Sequence, residues 1–577
     1  MADFDLVVRG GTLVDGTGGD MFEADVAVNG TRIAAVGKSL GRGKAEIDAR
    51  GKLVTPGFVD IHTHYDGQVI WDDYMTPSSG HGVTTVLMGN CGVGFAPCLP
   101  ENREAMIDVM EGVEDIPAGS LRAGMTWTWT SFPEYLDALG RRRCDVDFAA
   151  QIPHVPVRVH VMGKRGTNRE PARADDMAQM AAIVREAVLA GAMGFTSSRA
   201  AGHRAGTGDC IPSTTAGEDE LLEIAMALKE IGRGTFMSAA DLNHTGRVPA
   251  EFELLARIAK ASGCTVMFPL LQYHENPEGW RVVAEACAAA RAAGARMYGQ
   301  VVGRPVGLLY GLELTSHPFK GRATYEAIKH LPLAERARRM ADPAVRASIL
   351  SETGAPDDER SRRLARLTGE LYRIGDPPNY SPPPEERLDH VAKRKGVDVM
   401  EVAYDILCEN GGNGLIYHPA RNFAHGNLDT VLDMMKRSDT VIGLGDGGAH
   451  VGAICDSSVP TFMLTYWTRD RKGERLSIPW AVKAHTFDTA SAVGFMDRGV
   501  LKAGYKADLN VLDYDKLTLR APRPAKDLPA GGTRLVQQTD GFDATIVSGD
   551  ITLRHGERTG VLPGRLIRGA QPAPAAA

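Results

Sequence analysis

The sequence predicts an α/β chain built on a (β/α)8 TIM barrel, and three observations predict it. Between about residues 55 and 498, β-forming runs alternate with helical patterns, the signature of consecutive parallel βα units. Both ends, 1–54 and 499–565, instead read as short strands broken by glycine turns. A charged, helix-prone stretch with proline patches, 304–397, separates the last two barrel strand candidates as an insertion between strands 7 and 8.

Taken in order, the first strands are 6–9 and 12–16 around Gly10-Gly11, then 24–28 and 32–36 around Asn29-Gly30, a hairpin signal. The barrel strands are 58–64, 84–88, 147–152, 194–197, 235–239, 265–270, 296–301 and 440–444. Helical patterns at 174–190, 218–231 and 251–261 separate several of them, and the insertion carries helical patterns at 331–340, 345–351 and 358–372. Strands return at 499–501, 504–513 and 544–553, and a Pro- and Ala-rich tail, 566–577, is expected to be disordered.

The 577 residues suffice for one large barrel plus a satellite domain. A net charge of −7 without a long basic run argues against nucleic-acid or anionic-membrane partners. No apolar run reaches about 18 residues, so no membrane-spanning helix is expected. The acidic N-terminus does not read as a signal peptide, and eight cysteines without paired spacing suit reduced thiols; a cytoplasmic protein is expected.

The chemistry concentrates in Pro56-Gly57-Phe58-Val59-Asp60-Ile61-His62-Thr63-His64-Tyr65-Asp66. A strand's side-chain period of two puts His62 and His64 on one face, where neutral imidazoles can grip one zinc ion from adjacent directions. The alternative is a pair of surface histidines on an edge strand. Cys91, in Asn90-Cys91-Gly92, ends the second strand as a thiolate ligand or a buried thiol. Asp446 follows the eighth strand between glycines that allow close backbone approach.

The stretch 56–66 resembles the first barrel strand of the amidohydrolase superfamily, and Gly89-Asn90-Cys91-Gly92 resembles the second strand of its N-acyl-D-amino-acid deacylase (D-aminoacylase) branch. The resemblance runs from about residue 5 to about residue 560 and is strongest at the two ends. It implies a composite β-sandwich from 1–54 and 499–565, a barrel over 55–498, and an insertion that covers the active site as a lid. It also implies that Cys91 contacts the metal, and that Asp446 contacts the metal and carries the proton from the attacking water to the leaving nitrogen. A homo-oligomer is implied as well.

The middle strands depart from that pattern. The branch has histidines after strands five and six, whereas His244 and His274 are offset here and read as shifted ligands or loop residues. The simplest reading is one zinc on His62, His64, Cys91 and Asp446, with two as the alternative. Arg199, His203, Arg304 and His450 are the substrate-binding candidates: arginine forks suit a substrate carboxylate, against the alternative of loop ion pairs. Trp127, Trp129 and Phe132 line an acyl pocket or belong to the core.

Three functions follow. The first is hydrolysis of a linear C–N amide in a small molecule, most like deacylation of N-acyl-D-amino acids by metal-bound hydroxide with Asp446 as general base and acid. The second is a cyclic amidase like hydantoinases and dihydropyrimidinases; Cys91, the long insertion and the lack of a lysine after strand four count against it. The third is a metal-depleted barrel acting as a small-molecule binding protein.

Overall fold

The computed structural model describes residues 2–242, 248–354, 363–364 and 366–575. The chain begins with β1 (Phe4–Leu13), β2 (Phe22–Asn29), β3 (Arg32–Gly37), β4 (Gly43–Asp48) and β5 (Leu53–Pro56). Asn29 pairs with Arg32, so Gly30-Thr31 forms the turn, with Gly30 at φ +54° where a side chain is disfavoured.

The parallel strands follow: β6 (Phe58–Asp60), β7 (Val83–Met88), β8 (Asp147–Ala150), β9 (Ile152–Pro153), β10 (Gly194–Ser198), β11 (Thr235–Ala239), β12 (Thr265–Pro269) and β13 (Met297–Val301). Every expected barrel strand has its counterpart, although the first ends at Asp60, so His62 and His64 lie just beyond its ladder. The expected helices appear as Ala174–Ala190, Glu218–Ile231 and Val248–Ser262. Their apolar faces pack on the strands because a helix between parallel strands must bury one stripe against the sheet.

The insertion builds its own small unit. β14 (Val306–Tyr310), β15 (Tyr372–Arg373) and β16 (Ile416–Arg421) form an antiparallel sheet in the order β14-β16-β15. Phe319, Tyr325, Met340, Ile349, Leu388, Leu407 and Ile416 share one core with it. The unit therefore extends past 397 to β16, because helix Val399–Gly412 and β16 bury their apolar side chains there. Residues 358–362 and 365 of the helical pattern expected at 358–372 lie outside the described residues; Thr368–Glu370 is a 3-10 turn, and the end of the pattern, Tyr372, is in β15.

With β17 (Thr440–Ile442), the parallel strands form two sheets, β6-β7-β8 and β9-β10-β11-β12-β13-β17. Gln151 alone separates β8 from β9. Val59, Leu87, Ala149, Met237, Met267 and Val441 are packed in one apolar layer drawn from six of these strands. Beyond the strand ends, His64 N–H donates to Gly447 O at 2.7 Å and Asp446 N–H to His62 O at 2.9 Å, which brings the segments after the first and last parallel strands together.

β18 (Leu509–Leu512) and the strands Phe542–Val547, Asp550–Arg554 and Glu557–Arg558 then join the N-terminal strands in one nine-stranded sheet. β18 lies antiparallel to β5, and Val8, Val26, Val28, Leu509, Val511 and Ile546 share a core. The expected disorder from 566 is corrected for residues 566–571. Ile567 N–H donates to Phe148 O at 2.8 Å and Gln571 N–H to Gly494 O at 2.9 Å, and Ile567 is buried in the apolar layer. The backbone there has partners that composition does not reveal. Among the described residues no helix is long and apolar enough to cross a membrane.

Candidate metal centre

His62, His64 and Cys91 converge, with one ligand atom from each lying within 4.8 Å of the others. His62 Nε2 is 3.4 Å from Cys91 Sγ and 3.4 Å from Asp446 Oδ1. Asp446 Oδ1 is also 3.8 Å from His64 Nε2. Backbone shape helps to aim these groups: Cys91, Asp446 and His450 all adopt left-handed φ, at +55°, +46° and +48°. Such angles cost about 1–3 kcal/mol each and cluster at functional sites. The glycines beside Asp446 are steric requirements: a Cβ at Gly445 would lie 2.3 Å from the Asp60 carboxylate, and one at Gly447 2.4 Å from Ser78 Oγ.

Burial sets the protonation states. It pushes His62 down to about 4, against the Gln300 hydrogen bond, and His64 well below its usual range, so both rings are neutral at pH 7, the form that ligates metal. Burial raises the Cys91 thiol, with Glu114 and Asp446 adding to the rise. Burial raises Asp446, which His450 offsets in part, and raises Glu114 well above the carboxylate range. Three acidic groups pushed upward around two neutral imidazoles mark a place that favours a cation. His64 Nδ1 and both carboxylate oxygens of Glu114 are buried without a hydrogen-bond partner. A sulfur, nitrogen and oxygen donor set of this kind fits zinc.

These residues open onto a cavity of about 440 Å³. The insertion supplies much of its wall, including Leu308, Tyr310, Leu364, His418 and Arg421. His203 and His450 line the same cavity. His203 Nδ1 is 2.8 Å from Ser198 Oγ, and burial with His450 and His62 nearby holds the ring down at about 4.

Arg199 and Arg304 are not free forks, which corrects their assignment to a substrate carboxylate. Arg199 reaches both oxygens of Glu251 at 3.0 and 2.9 Å and also donates to Ala216 O. Arg304 is fully buried: it contacts Asp456 at 2.6 Å, Ser458 Oγ at 2.8 Å and Cys455 O at 2.6 Å, and stacks 4.0 Å over Tyr380. The ion-pair alternative holds for both. His274 Nε2 faces Pro419 O at 2.9 Å, outside the cavity lining, while His244 lies outside the described residues. Trp129 and Phe132 are core side chains, and Trp127 packs against that core.

Sequence reasoning missed three residues that face the cavity: Glu114, His418 and Arg421. Glu114 carried no distinguishing signal, since Asp108, Glu111 and Asp115 stand close to it in the same stretch. Arg421 Nη1 donates to Ala420 O at 2.7 Å and its guanidinium lies 4.7 Å over Tyr273, so the rest of its fork is held in a defined place.

The candidate centre sits beyond the ends of parallel strands. Residues 45–553 match the model of the amidohydrolase family, and the chain belongs to that family. It is 26% identical to an N-acyl-D-aspartate deacylase of Alcaligenes xylosoxydans xylosoxydans, over 98% of this chain and 95% of that one. The fold matches a D-aminoacylase structure described by its binuclear metal centre, at TM-score 0.64 and 23% identity over 98% of this chain and all of that one. It also matches an N-acyl-D-glutamate deacylase from Bordetella bronchiseptica complexed with zinc and a phosphonate inhibitor, at TM-score 0.63 and 23% identity over 98% and 99% of the two chains.

Proposed function

We propose that this chain deacylates N-acyl-D-amino acids, hydrolysing a linear C–N amide bond at a zinc centre held by His62, His64, Cys91 and Asp446. The observation that carries the reading is the convergence of those four side chains on the wall of one cavity. The names of the relatives support the substrate class. When bound, zinc would supply Lewis-acid polarisation of the amide carbonyl and activation of water.

The chain's own residues do the rest. Asp446, beside both imidazoles on the cavity wall, takes the proton of the attacking water and returns it to the leaving nitrogen. His62 and His64 stay neutral and present Nε2. Arg421, on the cavity wall, rather than Arg199 or Arg304, meets the substrate carboxylate.

We read the two parallel sheets as one (β/α)8 barrel, supported by the shared apolar layer and the hydrogen bonds between the segments after its first and last strands. In this reading the nine-stranded sheet is the composite β domain, and the insertion is a lid. A cytoplasmic homo-oligomer remains the proposal for the state of the whole molecule. One zinc per chain suffices, since the described ends of β11 and β12 carry no histidine.

The test is zinc content by elemental analysis together with amine release from a panel of N-acetyl-D- and N-acetyl-L-amino acids. About one zinc and turnover of D-substrates are expected. Zinc with turnover only of cyclic amides, or ligand binding without any hydrolysis, would overturn the reading.

A further inference from the structure

His62 and His64 are flanked in parallel ways. His62 turns Nε2 toward Cys91 and Asp446 and places Nδ1 2.6 Å from Gln300 Oε1. His64 turns Nε2 toward Asp446 and places Nδ1 3.3 Å from Glu114 Oε1. Gln300 and Glu114 thus stand behind the two rings in the same role, one an amide and one a carboxylate.

Glu114 is 1% exposed, and neither of its oxygens has a hydrogen-bond partner; nor does His64 Nδ1. A buried ring nitrogen and a buried carboxyl group are costly to leave unsatisfied, and His64 Nδ1 and Glu114 Oε1 lie 3.3 Å apart. Glu114 Oε2 also lies 3.6 Å from His450 Nε2 on the cavity wall. The backbone fixes its position: Glu114 ends helix Arg103–Glu114, its carbonyl accepts from His450 N–H, and the next residue, Asp115, is tied to Thr315 Oγ1 at 2.7 Å.

We infer that Glu114 is a positioning residue of the centre, holding His64 as the Nδ1–H tautomer, with Nε2 free to ligate, and linking that ligand to His450. This rests on the metal centre proposed above. A partner on the outer nitrogen orients the ring and makes its other nitrogen a better donor. It explains why an acid with no solvent contact is placed among apolar neighbours such as Val113 and Ile116.

The test uses the full chain, stripped of metal and titrated with cobalt(II) against a chelator, with the visible absorption of the cobalt–thiolate centre as readout. E114M fills the same space without an acceptor; E114Q keeps an acceptor, as Gln300 does behind His62. We expect E114M to weaken cobalt binding about 10–100-fold and to change the absorption envelope, while E114Q stays within about fivefold of native. Equal cobalt affinity and spectrum in native, E114Q and E114M proteins would overturn the assignment. If E114M does not fold by circular dichroism, E114D, which withdraws the carboxylate by one methylene, replaces it: weakened cobalt binding supports the role, and native binding overturns it. A native chain that takes up no cobalt would overturn the metal centre itself, and this assignment with it, whereas native uptake unaffected by the variants would overturn Glu114 alone.

Discussion

Two histidine-bearing clusters on the parallel strands invite comparison. After β6, His62 and His64 face Cys91, Asp446 and Glu114, and several polar atoms there are buried without partners. After β9, His154 stands between Ser197 Oγ and Glu220 Oε1, 2.9 Å from each, while Arg158 Nε joins the same Glu220 oxygen at 2.9 Å. The second cluster contains a serine, histidine and carboxylate in series, yet all are buried, and none lines the cavity. It is satisfied internally and holds helix Glu218–Ile231 to the strands. The difference teaches how to tell a site from a brace. Both pair histidine with a buried glutamate; of the two, only the first has unsatisfied atoms beside the cavity.

The comparison breaks most sharply at the ligands. H62A and D446A should each lower kcat/KM by about 10³-fold or more, because one removes a ligand and the other the proton carrier, while the melting of metal-free protein stays near native. Steady-state kinetics and calorimetry on the same samples check both halves; a variant that unfolds without losing activity per folded molecule would put His62 in the bracing class.

E220A should do the reverse. It strands the buried Arg158, at a cost of about 3–5 kcal/mol, and leaves the cobalt affinity of folded protein unchanged. Burial alone would raise Glu220, but His154 and Arg158 outweigh it and hold the carboxyl below its usual value. The stabilisation is therefore complete above the unfolded value near 4.5 and is lost as pH falls through the lowered folded value. Melts of native and E220Q protein across acid pH should converge at low pH.

A smaller effect is expected on the insertion wall. R421A should raise KM about tenfold for an anionic N-acyl amino acid and leave zinc content unchanged. An equal loss on an uncharged amide would remove Arg421 from carboxylate recognition. Smallest is the capping box of helix Phe132–Gly140, where Ser131 and Glu134 each bind the other's backbone N–H. S131A should cost about 1 kcal/mol and leave kinetics and metal content alone, a baseline for purely structural change.

Much of this was legible in the sequence where the signal is local. Helices Ala174–Ala190 and Glu218–Ile231 fall at their predicted limits because apolar periodicity is a property of neighbouring residues. His62 and His64 were legible because one short segment carries both. Arg199 and Arg304 were misread because their partners, Glu251 and Asp456, lie 52 and 152 residues away, and a paired arginine looks like a free one in sequence. Glu114 was missed for the same reason: its meaning comes from a ring 50 positions earlier in the chain, brought close only by the fold. The tail at 566–571 was misread because its order comes from backbone hydrogen bonds to Phe148 and Gly494, which no side-chain composition encodes.

The nine-stranded sheet carries a consequence for biosynthesis. β5 ends at Pro56, and its antiparallel neighbour β18 begins at Leu509, so the ribosome makes about 450 residues between them. At about 5–20 residues per second, that interval is roughly 20–90 s. Throughout it, one edge of β5 is an unpaired strand edge, a template for other nascent chains. The parallel units can collapse as they emerge, but the sheet that joins both ends cannot close until translation is nearly over. Pulse-labelled chains released early should be protease-sensitive through β1–β5, and their yield should depend on holdase chaperones more steeply than that of the finished protein.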